Sequence, residues 1–338
     1  MFNVGTRLAS SRPAYLLSCL GTAAFMSIAV SQPANAQDMR APSGPVEITV
    51  GSSAGGTPDV MMRRMVQVMT STGIITDPMV VVNRTGGSWM VASNWVLQRA
   101  GDENTYLAIA QPMLTTPITQ GLPNTFEKLT PLSMFIQADL VIVAQPDSPA
   151  SSLKDLVEVA KERPRSLRQA GAQVGSTDYL VTGLLQKAGG IEINYIPFDG
   201  GGAAQTAFLG GNVDMLVLTV DEALPLVESG KAKILAILNE ERRKEPALAD
   251  IPTAKEQGLD VVWGQAWGIA GAENLDPSVV AWWDDKLSKL VQTDEWKKML
   301  ADNYLRGEYT SSKEAKPQLA KIYQDHLALM RELNLSKQ

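Results

Sequence analysis

The sequence predicts an α/β fold of two lobes, each built on a mostly parallel sheet, with two crossing strands between them. From residue 46 onwards, short runs rich in β-branched residues alternate with longer segments of helical period. This alternation is the pattern of consecutive strand–helix–strand units. The chain that follows the first 36 residues also exceeds the length at which a single hydrophobic core stops growing. We therefore expect two lobes rather than one.

The first series of elements occupies residues 46–110. Its strands are short and apolar, as in "VEITVGS" and "MVVVN", and its first helix places Met61, Met65 and Met69 on one face. Strand, helix, strand, helix and strand in this order imply a parallel sheet with right-handed crossovers. The predicted elements are strands at 46–52, 79–83 and 105–110 and helices at 58–70 and 88–100.

A second series follows a stretch, "QPMLTTPITQGLPNTFEKLTPL", that is rich in Pro and Thr and has no period. The second series begins with "DLVIVAQ" and contains enough strands for a complete α/β lobe between residues 139 and 240. The predicted elements are strands at 139–145, 166–173, 193–198, 213–219 and 232–238 and helices at 151–163, 176–188, 202–210 and 221–229.

The last third of the chain offers too few strands to form a lobe of its own. It contains "VVWGQAWGIAG" at 261–271 and helical segments at 276–303 and 311–334. We expect it to return to the first lobe, which gives two connections between the lobes and suits closure around a ligand by a hinge. A monomer is the expected state of such a hinged chain. The predicted division is a signal peptide at 1–36, lobe I at 37–138 plus 241–338, and lobe II at 139–240.

The N-terminal segment is typical of a secretory signal peptide. Arg7 and Arg12 precede an apolar run at 15–30, and small residues precede a cleavage site after Ala36. The alternative is a lipoprotein signal with lipid attached to Cys19. Cleavage after Ala36 would remove this only cysteine, which indicates a periplasmic protein without disulfides. No later stretch approaches the roughly 20 apolar residues of a membrane span.

Composition excludes several classes of function. The net charge of the whole sequence is −6, and the signal peptide takes away two arginines and no acids, so the mature chain is more acidic still. Nucleic-acid binding needs a basic surface and is not predicted. One histidine and no mature cysteine exclude the usual zinc ligand sets, and the acids do not have calcium-loop spacing. We predict no metal and no cofactor.

Glycine-rich turns are the feature that points to function, because the order strand, glycines, helix occurs four times. In an open α/β sheet such turns lie at the carboxyl ends of the strands, where ligands bind. Glycine allows close approach, and the first N–H groups of a helix are unsatisfied donors at its positive end. Two turns from each lobe would form an anion clamp; alternatively, each is only a short connection. The turns are Gly55-Gly56, Gly86-Gly87-Ser88, Gly175-Ser176-Thr177 and Gly200-Gly201-Gly202.

These turns also carry a resemblance to a known family. "ITVGSSAGGTPDVMMR", "VVVNRTGGS", "GAQVGSTDYLVTGLLQKAG" and "IPFDGGGAAQTAFLGGNVDM" resemble the signature segments of the extracytoplasmic solute receptors of tripartite tricarboxylate transporters, the Bug receptors. The similarity runs from about residue 46 to the C-terminus. It implies a two-lobed, Venus-flytrap periplasmic binding protein that captures a small organic acid, a di- or tricarboxylate, and delivers it to membrane permease subunits.

The resemblance also implies roles for individual residues. The segments matching 54–57 and 85–88 grip a ligand carboxylate from one lobe, and those matching 175–178 and 199–202 contribute from the other. Asp59 and Arg63 match an Asp and an Arg common on the family's first helix. The predicted ligand-binding residues are Ala54, Gly55, Gly56, Thr57, Asp59, Thr85, Gly86, Gly87, Ser88, Gly175, Ser176, Thr177, Asp178, Asp199, Gly200, Gly201 and Thr219.

The sequence departs from the family pattern in several places. Many relatives have Pro-Phe where Ser52-Ser53 stand, a longer Pro-Gly-Ala-Gly-Gly at 85–88, and often a histidine at Asp178. A carboxylate at position 178 would repel a second ligand carboxylate unless a cation, a proton or distance intervenes. The residue therefore bears on which acid is bound.

Two other functions are compatible with parts of the sequence. Gly51 to Gly55 fits the G-x-S-x-G elbow of esterases, with Ser53 as nucleophile and His326 as the only histidine. However, His326 stands in a terminal amphipathic segment, where we expect it to face solvent. A receptor that senses a ligand for a signalling partner would use the same clamp. Trp89 either packs in the core or stacks on a planar ligand.

Overall fold

The structure, a computed structural model, describes most of the chain that follows the expected signal peptide. Residues 37–338 belong to one compact unit. The signal peptide, Cys19 and the cleavage site after Ala36 lie outside the described residues, as does Asp199. None of the described helices is long and apolar enough to cross a membrane. The described residues are 39–123, 126–172, 174–198, 200–307 and 309–337.

The first sheet has the strand order β2-β1-β3-β9-β4. Strand β1 pairs in parallel with β2 and β3, whereas β9 is antiparallel to both β3 and β4. Helices α1, α2 and α3 follow the three parallel strands in sequence, as the alternating pattern predicts for the first two. The bounds are β1 Val46–Val50, α1 Thr57–Ser71, β2 Met79–Asn83, α2 Met90–Leu97, β3 Thr105–Ile109, α3 Pro112–Gln120, β4 Thr130–Ala144 and β9 Gly264–Gly271.

The second sheet has the order β8-β4-β7-β5-β6. Strand β5 is parallel to β6 and β7, and β4 is antiparallel to β7 and β8. The α/β class is confirmed, but both sheets are mixed, because each contains two parallel and two antiparallel pairings rather than mostly parallel ones. The bounds are α4 Leu153–Glu162, β5 Arg168–Gly171, α5 Thr177–Gly189, β6 Asn194–Pro197, α6 Gly201–Leu209, β7 Met215–Thr219, α7 Val220–Glu228 and β8 Lys233–Ile237.

Strand β4 belongs to both sheets. Its residues 130–139 pair with β9, and its residues 140–144 pair with β7 and β8. The sequence predicts only the second part, whose five residues are all apolar; the first part contains Pro131, Ser133 and Gln137, which are not typical of a buried strand. The chain crosses back beside β4, where the N–H of Leu238 donates to Leu140 O and the N–H of Trp263 donates to Leu238 O.

Three helices complete the described chain after β9. The sequence predicts one helix over 276–303, but the structure has two, because Thr293 caps a new helix by accepting from the N–H of Trp296. The longest helix packs against β4 and α3. The bounds are α8 Pro277–Leu290, α9 Asp294–Asp302 and α10 Ser312–Glu332.

Helix α3 lies in the stretch for which the sequence predicts no regular element. Pro112 stands in its first turn, where a missing N–H costs nothing, and Gly121 ends the helix with a left-handed φ of 69°. Pro117 and several threonines lower its helix propensity. Tertiary packing compensates for this weakness, because Met113, Leu114 and Ile118 are buried.

The buried hydrophobic residues form separate clusters around the two sheets. One cluster contains residues of the first sheet together with α1, α8 and α10. Two further clusters lie on the second sheet and extend along the return connection to Leu248 and Val261. We therefore propose a division in which lobe II extends to about residue 261 before the chain re-enters lobe I.

Candidate functional site

Six connections follow parallel strands in the two sheets, and we call the region they form the interlobe site. The connections after β1, β2 and β3 lie side by side because these strands are neighbours, and the same holds for β5, β6 and β7. Four of the six are the glycine-rich turns of the sequence. The other two contain Gln111, after β3, and Thr219, at the end of β7.

The turn after β1 is held in place by Asp59 of α1. The carboxylate accepts from Gly55 N–H at 2.9 Å, from Asn83 Nδ2 at 2.9 Å and from Arg63 Nε at 3.0 Å. Burial would raise the pKa of Asp59, but the hydrogen bonds from Arg63, Gly55 and Asn83 outweigh it and lower this pKa below its usual range. Asp59 is 2% exposed, and it positions the turn.

The same turn differs in one respect from the predicted main-chain clamp. Gly55 N–H is used by Asp59, and Gly56 N–H donates to Ser53 O at 3.2 Å. In contrast, the N–H groups of Ala54 and Thr57 donate to no residue that the structure describes. The donors that this turn offers to a ligand therefore include the two N–H groups flanking the glycines.

The turn after β2 has an unusual backbone. Gly86, Gly87, Ser88 and Trp89 have consecutive positive φ values of 122°, 54°, 47° and 75°. Within the described part of the chain, the N–H groups of Gly86, Gly87 and Ser88 have no hydrogen-bond acceptor. The turn is anchored because Thr116 Oγ1 donates to Ser88 O at 3.0 Å. It thus presents three unpaired N–H groups at the beginning of α2.

Trp89 itself does not line the site. Its side chain is 6% exposed and belongs to the core of the first sheet. A Cβ at Gly51 would come within 2.5 Å of the indole, so this glycine is needed for the ring to pack on the end of β1. The suggestion that Trp89 stacks on a planar ligand is wrong, and the core alternative is confirmed.

The turn after β5 begins α5 at Ser176, whose hydroxyl accepts from the N–H of Tyr179 at 3.4 Å. Asp178 turns back towards the strand, where its carboxylate accepts from Ala172 N–H in a short hydrogen bond and lies 3.3 Å from Tyr195 Oη. Burial raises the pKa of Asp178 above its usual range, although these hydrogen bonds oppose the shift. The carboxyl of Asp178 therefore holds the turn after β5 against the end of that strand.

The turn after β6 leaves open space around its glycines. Gly200 has a φ of 111°, which favours glycine. A Cβ added at Gly201 or Gly202 would meet nothing within 4 Å, so packing within the protein does not require glycine at these two positions. No contact that the structure describes joins this turn to the first sheet.

Among the described residues, two hydrogen bonds connect the two halves of the interlobe site. Thr57 Oγ1, at the start of α1, donates to Glu222 Oε1 of α7 at 3.5 Å. Thr177 Oγ1, at the start of α5, donates to Gln111 Oε1 at 2.7 Å. The sequence prediction missed Gln111 and Glu222. Gln111 directly follows the apolar run "TYLAIA", and Glu222 stands three residues after Thr219, which is the spacing of a capping box.

The second-sheet side of the interlobe site is acidic. Water can reach Glu222, yet the surrounding protein displaces much of its hydration, and this desolvation raises its pKa. The negative charges of Asp221 and Asp178 raise it further. Burial also raises the pKa of Asp221. The first-sheet side of the site thus supplies main-chain donors, and the second-sheet side carries carboxyl groups whose pKa is raised.

The esterase alternative lacks the geometry that it needs. Ser53 is exposed, and no described contact brings His326 to it. The prediction that His326 faces solvent is wrong, because the residue is 7% exposed and its Nδ1 lies 2.6 Å from Ile322 O within α10. Among the described residues, no cluster of three or more potential metal ligands occurs.

Comparison with known proteins identifies the family. A sequence model of the tripartite tricarboxylate transporter family receptor matches residues 56–335, which include every strand of the two sheets except β1. The chain belongs to this family. The receptor is also similar to Protein BugT of Bordetella pertussis, with 28% identity over 261 residues, 75% of this chain and 78% of that protein.

Solved structures agree with this assignment. The receptor resembles MatC from Rhodopseudomonas palustris, solved with bound malate, with a TM-score of 0.72 and 23% identity over 86% of this chain and 99% of that one. It also resembles an R. palustris protein solved with adipate, with a TM-score of 0.76 and 21% identity over 86% of this chain and 96% of that one. These likenesses confirm the two-lobed solute-binding fold.

Proposed function

We propose that this chain is a periplasmic receptor that binds a small dicarboxylate at the interlobe site. The observation that carries the proposal is the set of unpaired N–H groups at the beginnings of α1 and α2. Such groups at the positive end of a helix bind anions without any charged side chain. Malate and adipate, found in the two similar structures, are both dicarboxylates. The N–H groups of Ala54, Thr57, Gly86, Gly87 and Ser88 would hold one carboxylate.

The second-sheet turns would close over the other end of the ligand. Ser176 and Thr177 begin α5, and Gly200 and Gly201 begin α6, so each turn offers the start of a helix. The hydrogen bonds from Thr57 to Glu222 and from Thr177 to Gln111 would form as the lobes close. In this proposal no covalent bond is made or broken, and binding free energy stabilises the closed form. The protein is accordingly a receptor and not an enzyme.

Ligand binding is tested with residues 37–338 and matched compounds. Succinate, malate and adipate are compared with their neutral diamides by thermal shift and calorimetry, using protein refolded to remove retained ligand. A dicarboxylate that binds only the folded state raises the melting temperature by mass action. We expect shifts with at least one diacid and none with any diamide. Equal shifts with the two sets would contradict an anion site.

Gly201→Val locates the site. A Cβ at this position meets no protein atom within 4 Å, so the variant should fold normally while its side chain fills the space in front of α6. We expect the dissociation constant of the dicarboxylate to rise at least tenfold. The control is Gly44→Val, where a Cβ would make only ordinary contact with Asn104; Gly44 precedes β1, whereas the turn follows the other end of that strand. Unchanged affinity in Gly201→Val would contradict the proposed site.

Delivery to membrane permease subunits is the final part of the proposal. It rests on the family and on the expected signal peptide, which would place the mature chain in the periplasm. Deleting the receptor should abolish uptake of the radiolabelled dicarboxylate by cells, and expression of the wild-type chain but not Gly201→Val should restore it. Normal uptake in the deletion strain, together with a lost transcriptional response to the ligand, would favour the sensing alternative.

A further inference from the structure

Helix α5 has two buried faces that belong to different hydrophobic clusters. Val181 and Leu185 belong to a cluster of the second sheet, as expected for the helix that follows β5. Leu180 belongs instead to the cluster of the first sheet, and Leu184 packs against both clusters. Because residues four apart lie on the same side of a helix, Leu180 and Leu184 mark a face of α5 that is turned towards the first sheet.

This face contacts the first-sheet half of the molecule from its first turn to its last. At the beginning, Thr177 Oγ1 donates to Gln111 Oε1 at 2.7 Å. At the end, Lys187 Nζ lies 2.6 Å from Glu332 Oε1 of α10. Thr177 and Lys187 each stand three residues from the nearer leucine of the face, so all four positions share one side of the helix. Helix α5 therefore belongs to the second sheet but rests along its length on the first-sheet half.

Gly183 allows a close approach between α5 and α10. A glycine inside a helix lowers the stability of that helix relative to alanine, so its presence there indicates a packing reason. A Cβ added at Gly183 would collide with the side chain of Leu333, whose Cγ would lie only 3.2 Å from it. Leu333 directly follows α10 and also packs against the first-sheet cluster. Its side chain thus joins the two helices at a point where α5 carries no side chain of its own.

We propose that four residues form a clasp between the lobes that stabilises the closed form and slows release of the ligand. The clasp consists of Gly183 and Lys187 of α5 and of Glu332 and Leu333 at the end of α10. Helix α10 packs against α3, so a hinge motion between the sheets would separate α5 from α10 or slide one helix past the other. Contacts that exist only in the closed form favour that form. The clasp would therefore raise the affinity without touching the ligand, whose identity alone rests on the proposed function.

Leu333 contributes most of the free energy of the clasp. The side chains of Lys187 and Glu332 are 54% and 52% exposed, and ion pairs with this much exposure contribute little. The apolar contact at Gly183, in contrast, removes part of the Leu333 side chain from water. Substitutions at Leu333 therefore provide the sharpest test of the clasp.

A disulfide across the clasp is introduced into residues 37–338, which contain no cysteine. In Gly183→Cys combined with Leu333→Cys, the second sulfur would take about the place of Leu333 Cγ, close enough to the new Cβ for a disulfide bond. We expect the oxidised form to have a smaller radius of gyration than the reduced form in small-angle X-ray scattering. The oxidised form should also not exchange radiolabelled succinate, malate or adipate, whereas the reduced form should. Equal radii of gyration, or equal exchange rates, would overturn the proposal.

Leu333→Ala decides the question if the disulfide does not form. We expect this variant to release the bound dicarboxylate about fivefold faster in stopped-flow measurements, with little change in the association rate. The matched control is Leu290→Ala, the same truncation in the core of α8, which should lower the melting temperature and leave the dissociation rate unchanged. A wild-type dissociation rate in Leu333→Ala would overturn the clasp. If no dicarboxylate binds the wild type, the proposed function fails, and the scattering comparison and the radius of gyration of Leu333→Ala, expected to exceed that of the wild type, still test the clasp.

Discussion

At the scale of single residues, Asp59 shows how one buried carboxylate shapes the interlobe site. It connects the turn after β1 to the end of β2 through Gly55 and Asn83. Replacing Asp59 by asparagine should destabilise the protein at pH 7 by about 1.5–3 kcal/mol, the range for a hydrogen bond to a charged group. The difference is measured by urea denaturation of the variant and the wild type.

The pH dependence of this difference follows from the lowered pKa of Asp59. Because the folded-state pKa lies below that of the unfolded chain, the ionised carboxylate stabilises the fold fully above about pH 4. That stabilisation is lost as the pH falls through the folded-state pKa, so the difference between wild type and Asp59→Asn should shrink there. Asp302, which forms an exposed ion pair with Lys298, supplies the control. For Asp302→Asn we expect little change in the free energy of unfolding at any pH. A difference that grows on acidification would contradict the assignment.

At the scale of elements, strand β4 carries the connection between the sheets. Asp139 marks the point where its pairing changes from β9 to β7, and its carboxylate is completely buried. It forms ion pairs with Arg243, from the return connection, and with Arg306, which follows α9, the latter at 2.8 Å. Three separate segments of chain thus meet at one buried charge.

Breaking these ion pairs should lower the free energy of unfolding far more than breaking a surface pair does. In Asp139→Asn two arginines lose a buried anion, and we expect a loss of about 3–5 kcal/mol in the free energy of unfolding. Arg242→Gln, which removes an exposed pair with Glu256, should change stability by less than about 1 kcal/mol. Thermal and urea unfolding measure both. Similar values for the two variants would show that Asp139 does not hold the junction together.

At the scale of the whole molecule, charge is distributed unevenly across the interlobe site. Unpaired N–H groups lie on the first-sheet side, and Asp178, Asp221 and Glu222 lie on the other. A dicarboxylate would approach these acids with its second carboxylate. Because the pKa of Glu222 is raised, protonation of this group removes repulsion at a higher pH than for an ordinary glutamate.

Glu222→Gln should therefore bind a dicarboxylate more tightly at pH 7.5, by roughly tenfold for a charge several ångströms away. Wild-type affinity should rise as the pH is lowered towards the pKa of Glu222, and the variant should lack this part of the pH dependence. Calorimetry between pH 5.5 and 8 measures both proteins with the same ligand, so titration of the ligand cancels. The control Glu228→Gln, at the exposed end of α7, should match the wild type. Identical pH profiles for Glu222→Gln and wild type would exclude Glu222 as a determinant.

The sequence predicts those parts of the fold that depend on residues close together in the chain. Apolar β-branched runs and glycine-rich turns correctly predict the positions of strands such as β1 and β7, and the order of the helices that follow them. The sequence does not predict α3 or the first part of β4. Both depend on burial against distant elements, which compensates for the prolines in α3 and for Pro131 and the polar residues in the first part of β4.

The sequence by itself determined the family, the α/β class and the four glycine-rich turns, because these depend on neighbouring residues and on backbone freedom. Only the tertiary structure decided which side chains surround those turns. Gln111 meets Thr177 and Glu222 meets Thr57 across long stretches of chain, and no local pattern specifies such pairs. The burial of His326 likewise depends on how α10 packs, since one face of an amphipathic helix looks the same in sequence until its neighbours are known.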